Sequence, residues 1–180
     1  MLSEVSMTEA YKPWNYPERV VLAVSTDGEH HDIITLGWKM MTSHSPPIVA
    51  ISVGKTRYSH KLISRGGEFV LAVPGEDLWR AVLICGTTSG RHIDKFKETG
   101  LTPRPAKIVK PPLIEECIAN IECKVTGHLH TGDHTIFAGE AVCCWLSDNR
   151  RRNLLLIGRE RGYLSLGKGA GFHYGVIKKR

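Results

Sequence analysis

The chain has 180 residues, a formal net charge of +6, and 42% hydrophobic against 23% charged residues. These values describe one folded domain with a sizeable core and exclude a disordered or fibrous chain. The charge is spread out. Its one cluster, Arg150-Arg151-Arg152, has no interleaved aromatics and is expected in a solvated turn, which argues against nucleic-acid binding.

Residues 1–15 hold two glutamates and no apolar segment, so they predict an N-terminal extension and no signal peptide. No run of 18 apolar residues predicts a membrane span. The apolar run 20–26 (VVLAVST) predicts a strand, and Asp27-Gly28 a hairpin turn into a second strand over 33–42. Ser45-Pro46-Pro47 breaks that strand, and residues 48–53 (IVAISV) form the third. Tyr58, Leu62 and Ile63 suit a helix over 57–65 that Gly66-Gly67 stops. Residues 68–73 return to strand, 78–85 read as a helix ended by Gly86, and a short helix from about Ser89 closes at Gly100. Four prolines make 101–112 an extended, ladder-poor connection. Residues 119–130 and 134–146 predict a long hairpin turning at Thr131-Gly132-Asp133. About six strands and two or three short helices, without crossover helices between the first strands, imply a mainly β, closed or nearly closed antiparallel barrel.

Five cysteines, an odd set with no secretory signal, imply a reduced cytoplasmic protein in which Cys85, Cys117, Cys123, Cys143 and Cys144 act as buried small hydrophobes. No zinc spacing, H-E-x-x-H or G-x-S-x-G appears, so no metal site is expected, and any chemistry would come from a bound cofactor. Three segments are candidates. Gly54-Lys55-Thr56 leaves a strand and enters a helix, where free N–H groups, Lys55, Arg57 and the hydroxyls of Thr56 and Ser59 suit an anion. A helix start capped by Thr56 explains the same letters. Thr35–Thr42 (TLGWKMMT) combines a strand glycine, Gly37, with bulky Trp38, Met40 and Met41, as a wall for an aromatic ring or as core packing around a bulge. The loop 86–90 (GTTSG) runs into Asp94-Lys95-Phe96 and brings small residues, hydroxyls and a cation to a ligand.

The ordered set NYPERVVLAVST, TLGWKMMTSHSPPIVAISVGKTRYSHKLI, GEFVLAVP, CGTTSGRHIDKF, LIEECIANIECKV and GDHTIFAGEAV resembles the flavin reductase-like family, the FMN-binding split-barrel proteins. The resemblance implies one domain over 1–180, an antiparallel split β-barrel with a few short helices, and 153–180 as a C-terminal arm or tail. It implies a homodimer that binds FMN non-covalently and uses NAD(P)H as co-substrate to pass electrons to an acceptor. The alternative is a flavoredoxin-like carrier reduced by a protein partner. By resemblance Thr35, Gly37, Trp38, Lys39, Met40, Met41 and Thr42 line the flavin, and Lys55, Thr56, Arg57 and Ser59 hold its phosphate. Ser89, Gly90 and Lys95 close over the cofactor, and His134 of Gly132-Asp133-His134 acts near the reacting face. Reductases of this kind carry small polar residues where this chain has Gly37-Trp38-Lys39-Met40-Met41. The bulkier wall would shield the flavin edge or obstruct a second flavin.

Overall fold

Alternation along the first apolar run divides the core in two. The computed structural model describes residues 2–148, 153–156 and 162–165. Helix α1 (Met7–Asn15) and the two-residue strand β1 (Glu18–Arg19) precede β2 (Val21–Thr26), which is buried along its whole length. Because successive strand side chains point to opposite faces, Val21 and Ala23 join one core while Leu22 and Val24 join another. The same split recurs in β6 (Glu68–Val73), where Phe69 and Leu71 face inward and Val70 and Ala72 face the helices. A strand covered on both faces reads as continuous apolar sequence, as this one does.

The main sheet is antiparallel and seven-stranded, in the order β3 (His31–Leu36), β2, β6, β9 (Ala119–Thr131), β10 (His134–Leu146), β5 (Pro47–Gly54) and β4 (Lys39–His44). One expected strand over 33–42 is therefore two. The chain leaves one edge of the sheet as β3 and enters the other as β4, turning at Gly37-Trp38. A Cβ at Gly37 would collide with the Glu18 carboxylate, and the Trp38 carbonyl accepts from the Ser52 N–H at 3.0 Å. Among the described residues no ladder joins β3 to β4, so the sheet curls to an open seam rather than the closed barrel that was the other expectation.

Helix α2 (Tyr58–Gly66) ends at Gly67, left-handed at φ 65°, as predicted. Helix α3 (Trp79–Thr87) runs through Gly86 instead of stopping there, because Gly86 packs on Thr35, 3.2 Å from Thr35 Cβ to the Cβ it lacks. Helix α4 (Lys95–Thr99) starts well after Ser89, since Asp94 caps it by accepting from the Lys97 N–H at 3.3 Å. Helix α1 was not foreseen, although Ser6 and Glu9 form a reciprocal capping box at its start.

The proline-rich segment contributes only β7 (Pro103–Arg104), paired with β8 (Leu113–Ile114). Elsewhere the buried Glu122 carboxylate accepts N–H bonds from Lys107, Ile108 and Val109 at 2.6–3.1 Å and from Trp145 Nε1 at 2.7 Å. The expected tail begins as structure: β11 (Leu154–Leu156) pairs with β1 and with β12 (Tyr163–Ser165), and Leu154 is buried in the helix-side core. The Arg150–Arg152 turn lies outside the described residues. All five cysteines are free, but only Cys85, Cys117 and Cys123 are buried; Cys143 is half-buried and Cys144 exposed, at an irregularity in the β9–β10 ladder. Among the described residues no helix is long and apolar enough to cross a membrane.

Candidate functional site

The corner where β5 ends, β10 begins and α2 starts gathers most of the candidate residues. The Lys55 N–H donates to the Asp133 carbonyl at 2.9 Å and Lys55 Nζ to the Gly132 carbonyl at 2.6 Å, which clips the turn after Gly54 to the tip of the β9–β10 hairpin. Arg57 is the N-cap of α2, in extended backbone and without a side-chain cap. Thr56 therefore does not cap the helix, and the first-turn N–H groups carry only the positive end of the helix dipole toward solvent. Lys55, Thr56 and Arg57 are exposed around it. Arg91, from the loop before α4, adds its guanidinium 5.7 Å above the Tyr58 ring. Uncapped amides with cations and a hydroxyl are the donor set a phosphomonoester dianion requires, and these residues fit one.

His134 pairs across the ladder with Gly54. Its Nδ1 lies 2.7 Å from Asp133 Oδ1, and this hydrogen bond holds the Asp133 carboxyl below its usual range. An ionised carboxylate only accepts, so Nδ1 carries the proton and Nε2 is left toward Gly54, 3.6 Å from where a Cβ would stand. Trp38 lies over this imidazole, ring centroids 4.8 Å apart and tilted by 42°. The turn that splits the expected strand thus delivers Trp38 to His134.

The other expected wall residues are dispersed. Lys39 Nζ donates to the Arg19 carbonyl, and burial lowers its ammonium pKa against the opposing pull of Glu18. Met40 and Met41 are exposed on the edge strand β4, and Thr42 Oγ1 donates to the Ile48 carbonyl at 3.2 Å. Thr35 is committed to α3 through a 2.6 Å bond to the Val82 carbonyl.

Ser59, Gly90 and Lys95 do come together, though around a side chain of the protein. Lys95 Nζ, 2% exposed as a residue, pairs with the buried Asp32 at 2.9 Å and also donates to the carbonyls of Ile33 and Cys85. Ser59, in the first turn of α2, is buried and donates to the other Asp32 oxygen. A Cβ on Gly90 would strike the same carboxylate. This knot ties the start of α2 to β3 and α4, so these three residues shape the corner from beneath. Ser89 stays half-buried in the loop, accepting from the Arg91 N–H at 3.3 Å.

Tyr11, Arg91 and a histidine group were missed. Thr135 Oγ1 lies 2.8 Å from His60 Nε2 and 3.1 Å from His130 Nδ1, and burial, with His130 and Lys55 nearby, lowers the His60 pKa. Arg91 stood inside the flagged CGTTSGRHIDKF stretch; His60 on α2 and His130 on β9 meet only through Thr135 of β10 and carry no common sequence spacing. Among the described residues no group of histidine, cysteine or acidic side chains is arranged to hold a metal.

Residues 14–165 match the family described as the flavin reductase like domain. An uncharacterized protein of Archaeoglobus fulgidus is 43% identical over 127 residues, 71% of each chain. The NADH-dependent flavin reductase StyB of Pseudomonas fluorescens is 29% identical over 127 residues, 69% of this chain and 68% of its own. Among solved structures, the FMN-binding protein of Thermus thermophilus with bound p-hydroxybenzaldehyde superposes with a TM-score of 0.83 at 22% identity, covering 96% of this chain and all (100%) of that one. With a family match over residues 14–165 and a relative 43% identical over 71% of its length, this chain belongs to the flavin reductase-like family.

Proposed function

We propose that the chain is an FMN-binding oxidoreductase reduced by NAD(P)H. The uncapped start of α2, ringed by Lys55, Thr56 and Arg57 beside the Trp38–His134 pair, carries this reading. The relatives' names support it: one reduces flavin with NADH and one binds FMN. Bound at this corner, FMN would supply the redox chemistry of two-electron transfer between a nicotinamide and an acceptor.

The chain's part is binding and alignment. Lys55, Arg57 and the α2 amides hold the phosphate by charge-assisted bonds, with Arg91 adding positive potential. The Asp32–Lys95–Ser59 knot fixes the first turn of α2 so that those amides are set before the ligand arrives. His134, its tautomer fixed by Asp133, offers Nε2 at the edge of the reacting face, and Trp38 excludes water from one side of the imidazole. No residue in the corner has to act as a strong acid or base. We further propose that two copies associate through the face bearing the edge strand β4, where Met40 and Met41 are exposed. Met41→Lys should then lower the mass measured by sedimentation to that of one chain.

Purified protein should be yellow and release FMN on heating, and anaerobic mixing with NADH or NADPH should bleach the flavin absorbance. A colourless protein that takes up no added FMN overturns the reading. Bleaching by a reduced protein donor but by neither nucleotide would instead make it an electron carrier. In His134→Ala, bleaching should slow while FMN stays bound.

A further inference from the structure

Helix α1 lies almost wholly ahead of the family match, which begins at residue 14, and buries none of its residues. Yet it reaches the site. Trp38 Nε1 donates to Tyr11 Oη at 2.7 Å, and the Tyr11 ring stands edge-on to Trp38 at 6.3 Å and to Trp14 and Tyr16 at 5.8 Å. Trp38 is 45% exposed, so packing alone does not hold its large ring. A hydrogen bond to the one polar atom of the indole, with edge-to-face contacts around the acceptor, selects one rotamer among those an exposed tryptophan can adopt. The selected rotamer lies over His134.

We infer that Tyr11 is a specificity-determining residue: from α1 it pins Trp38 on His134, so a free tricyclic flavin cannot stack on that face, while a small acceptor still reaches the site. The inference rests on the functional reading above, in which His134 borders the reacting face. A ring held 4.8 Å from the imidazole leaves no gap for a second flat ring between them. Admission of a free isoalloxazine requires Trp38 to swing away, which breaks the bond to Tyr11. A small inorganic oxidant needs no such stacking surface. The electron count is the same for both acceptors: the hydride from NADH brings two electrons, which one free riboflavin accepts with two protons, or two ferricyanide ions accept singly.

The test compares wild-type protein, Tyr11→Phe and Tyr11→Ala, all loaded with FMN. Riboflavin and ferricyanide are the acceptors; riboflavin has no phosphate with which to compete at α2. Tyr11→Phe removes the hydrogen-bond acceptor and keeps the ring. It should raise the ratio of kcat/KM for riboflavin to that for ferricyanide about fivefold, and Tyr11→Ala more than about tenfold. Ferricyanide reduction should stay at the wild-type rate. Riboflavin binding, read independently by fluorescence polarisation on protein that is not turning over, should tighten by the same factors. A merely structural role for Tyr11 would lower both activities together and leave their ratio unchanged, and that result overturns the inference. So does polarisation that does not distinguish the three proteins. Failure of the functional reading looks different: wild-type protein would then hold no FMN and oxidise no NADH.

Discussion

At the level of single residues, the corner separates side chains left exposed at an uncapped helix start from side chains that hold the corner still. Lys55 and Arg57 are exposed beside an uncapped helix start. Replacing both by alanine should weaken FMN binding by about 3 kcal/mol, two charge-assisted contacts, and isothermal titration should show a Kd raised on the order of a hundredfold. Riboflavin affinity should hardly change. Lys95 belongs to the other class. Its ammonium is buried against Asp32, so Lys95→Met leaves a buried carboxylate without its partner and should cost about 3–5 kcal/mol in urea unfolding. Adding Asp32→Asn to that variant should recover part of the loss, because the uncompensated charge is gone.

Among the elements, β10 shows how the sheet makes room for its core. The ladder with β9 shifts register between Ala138 and Gly139, and at Gly139 the Phe69 ring occupies the space of a Cβ. Phe69 is fully buried at the centre of the inner core. Gly139→Ala has to push that ring or the strand aside and should cost about 1–3 kcal/mol, measured as a lower denaturant midpoint with an unchanged m-value. Helix α1 is the opposite case. It contributes no buried side chain, so truncating it should leave the unfolding midpoint close to wild type, and its effect should be confined to the site it touches through Tyr11.

For the whole molecule, two carboxylates of the sheet join the proline-rich segment to it: Glu68 accepts from the Lys110 N–H at 2.9 Å, and the buried Glu122 accepts from three amides. Burial raises the Glu122 pKa, but N–H bonds from Lys107, Ile108 and Val109 and the Trp145 indole outweigh it, and the net value lies below the usual 4.5. A carboxyl depressed by folding adds stability that is present above its unfolded value and is lost as pH falls through the folded one. The protein should therefore lose stability on acidification from near pH 4.5 downward. Glu122→Gln should be less stable at neutral pH and show a flatter acid limb in thermal melts. A variant whose acid limb matches wild type would show that other carboxylates control it.

Much of this was legible in the sequence, for local reasons. Continuous apolar runs marked β2, β5 and β6, the glycine pair marked the end of α2, and Gly54 marked the turn from β5 into α2, because strand burial and helix termination depend on near neighbours in the chain. What the sequence could not carry was partnership. Whether Ser59 and Lys95 reach a ligand or a carboxylate depends on Asp32, which lies 27 residues before the one and 63 before the other in the chain and beside both in the fold. That Gly37-Trp38 ends one strand and starts another depends on Glu18 and Ser52, and that Trp38 covers His134 under the hand of Tyr11 depends on three segments meeting at one corner. Local pattern determined the strands, the turn and the charge; the packing of distant segments decided which of those side chains are spent on the protein and which stay exposed at the corner.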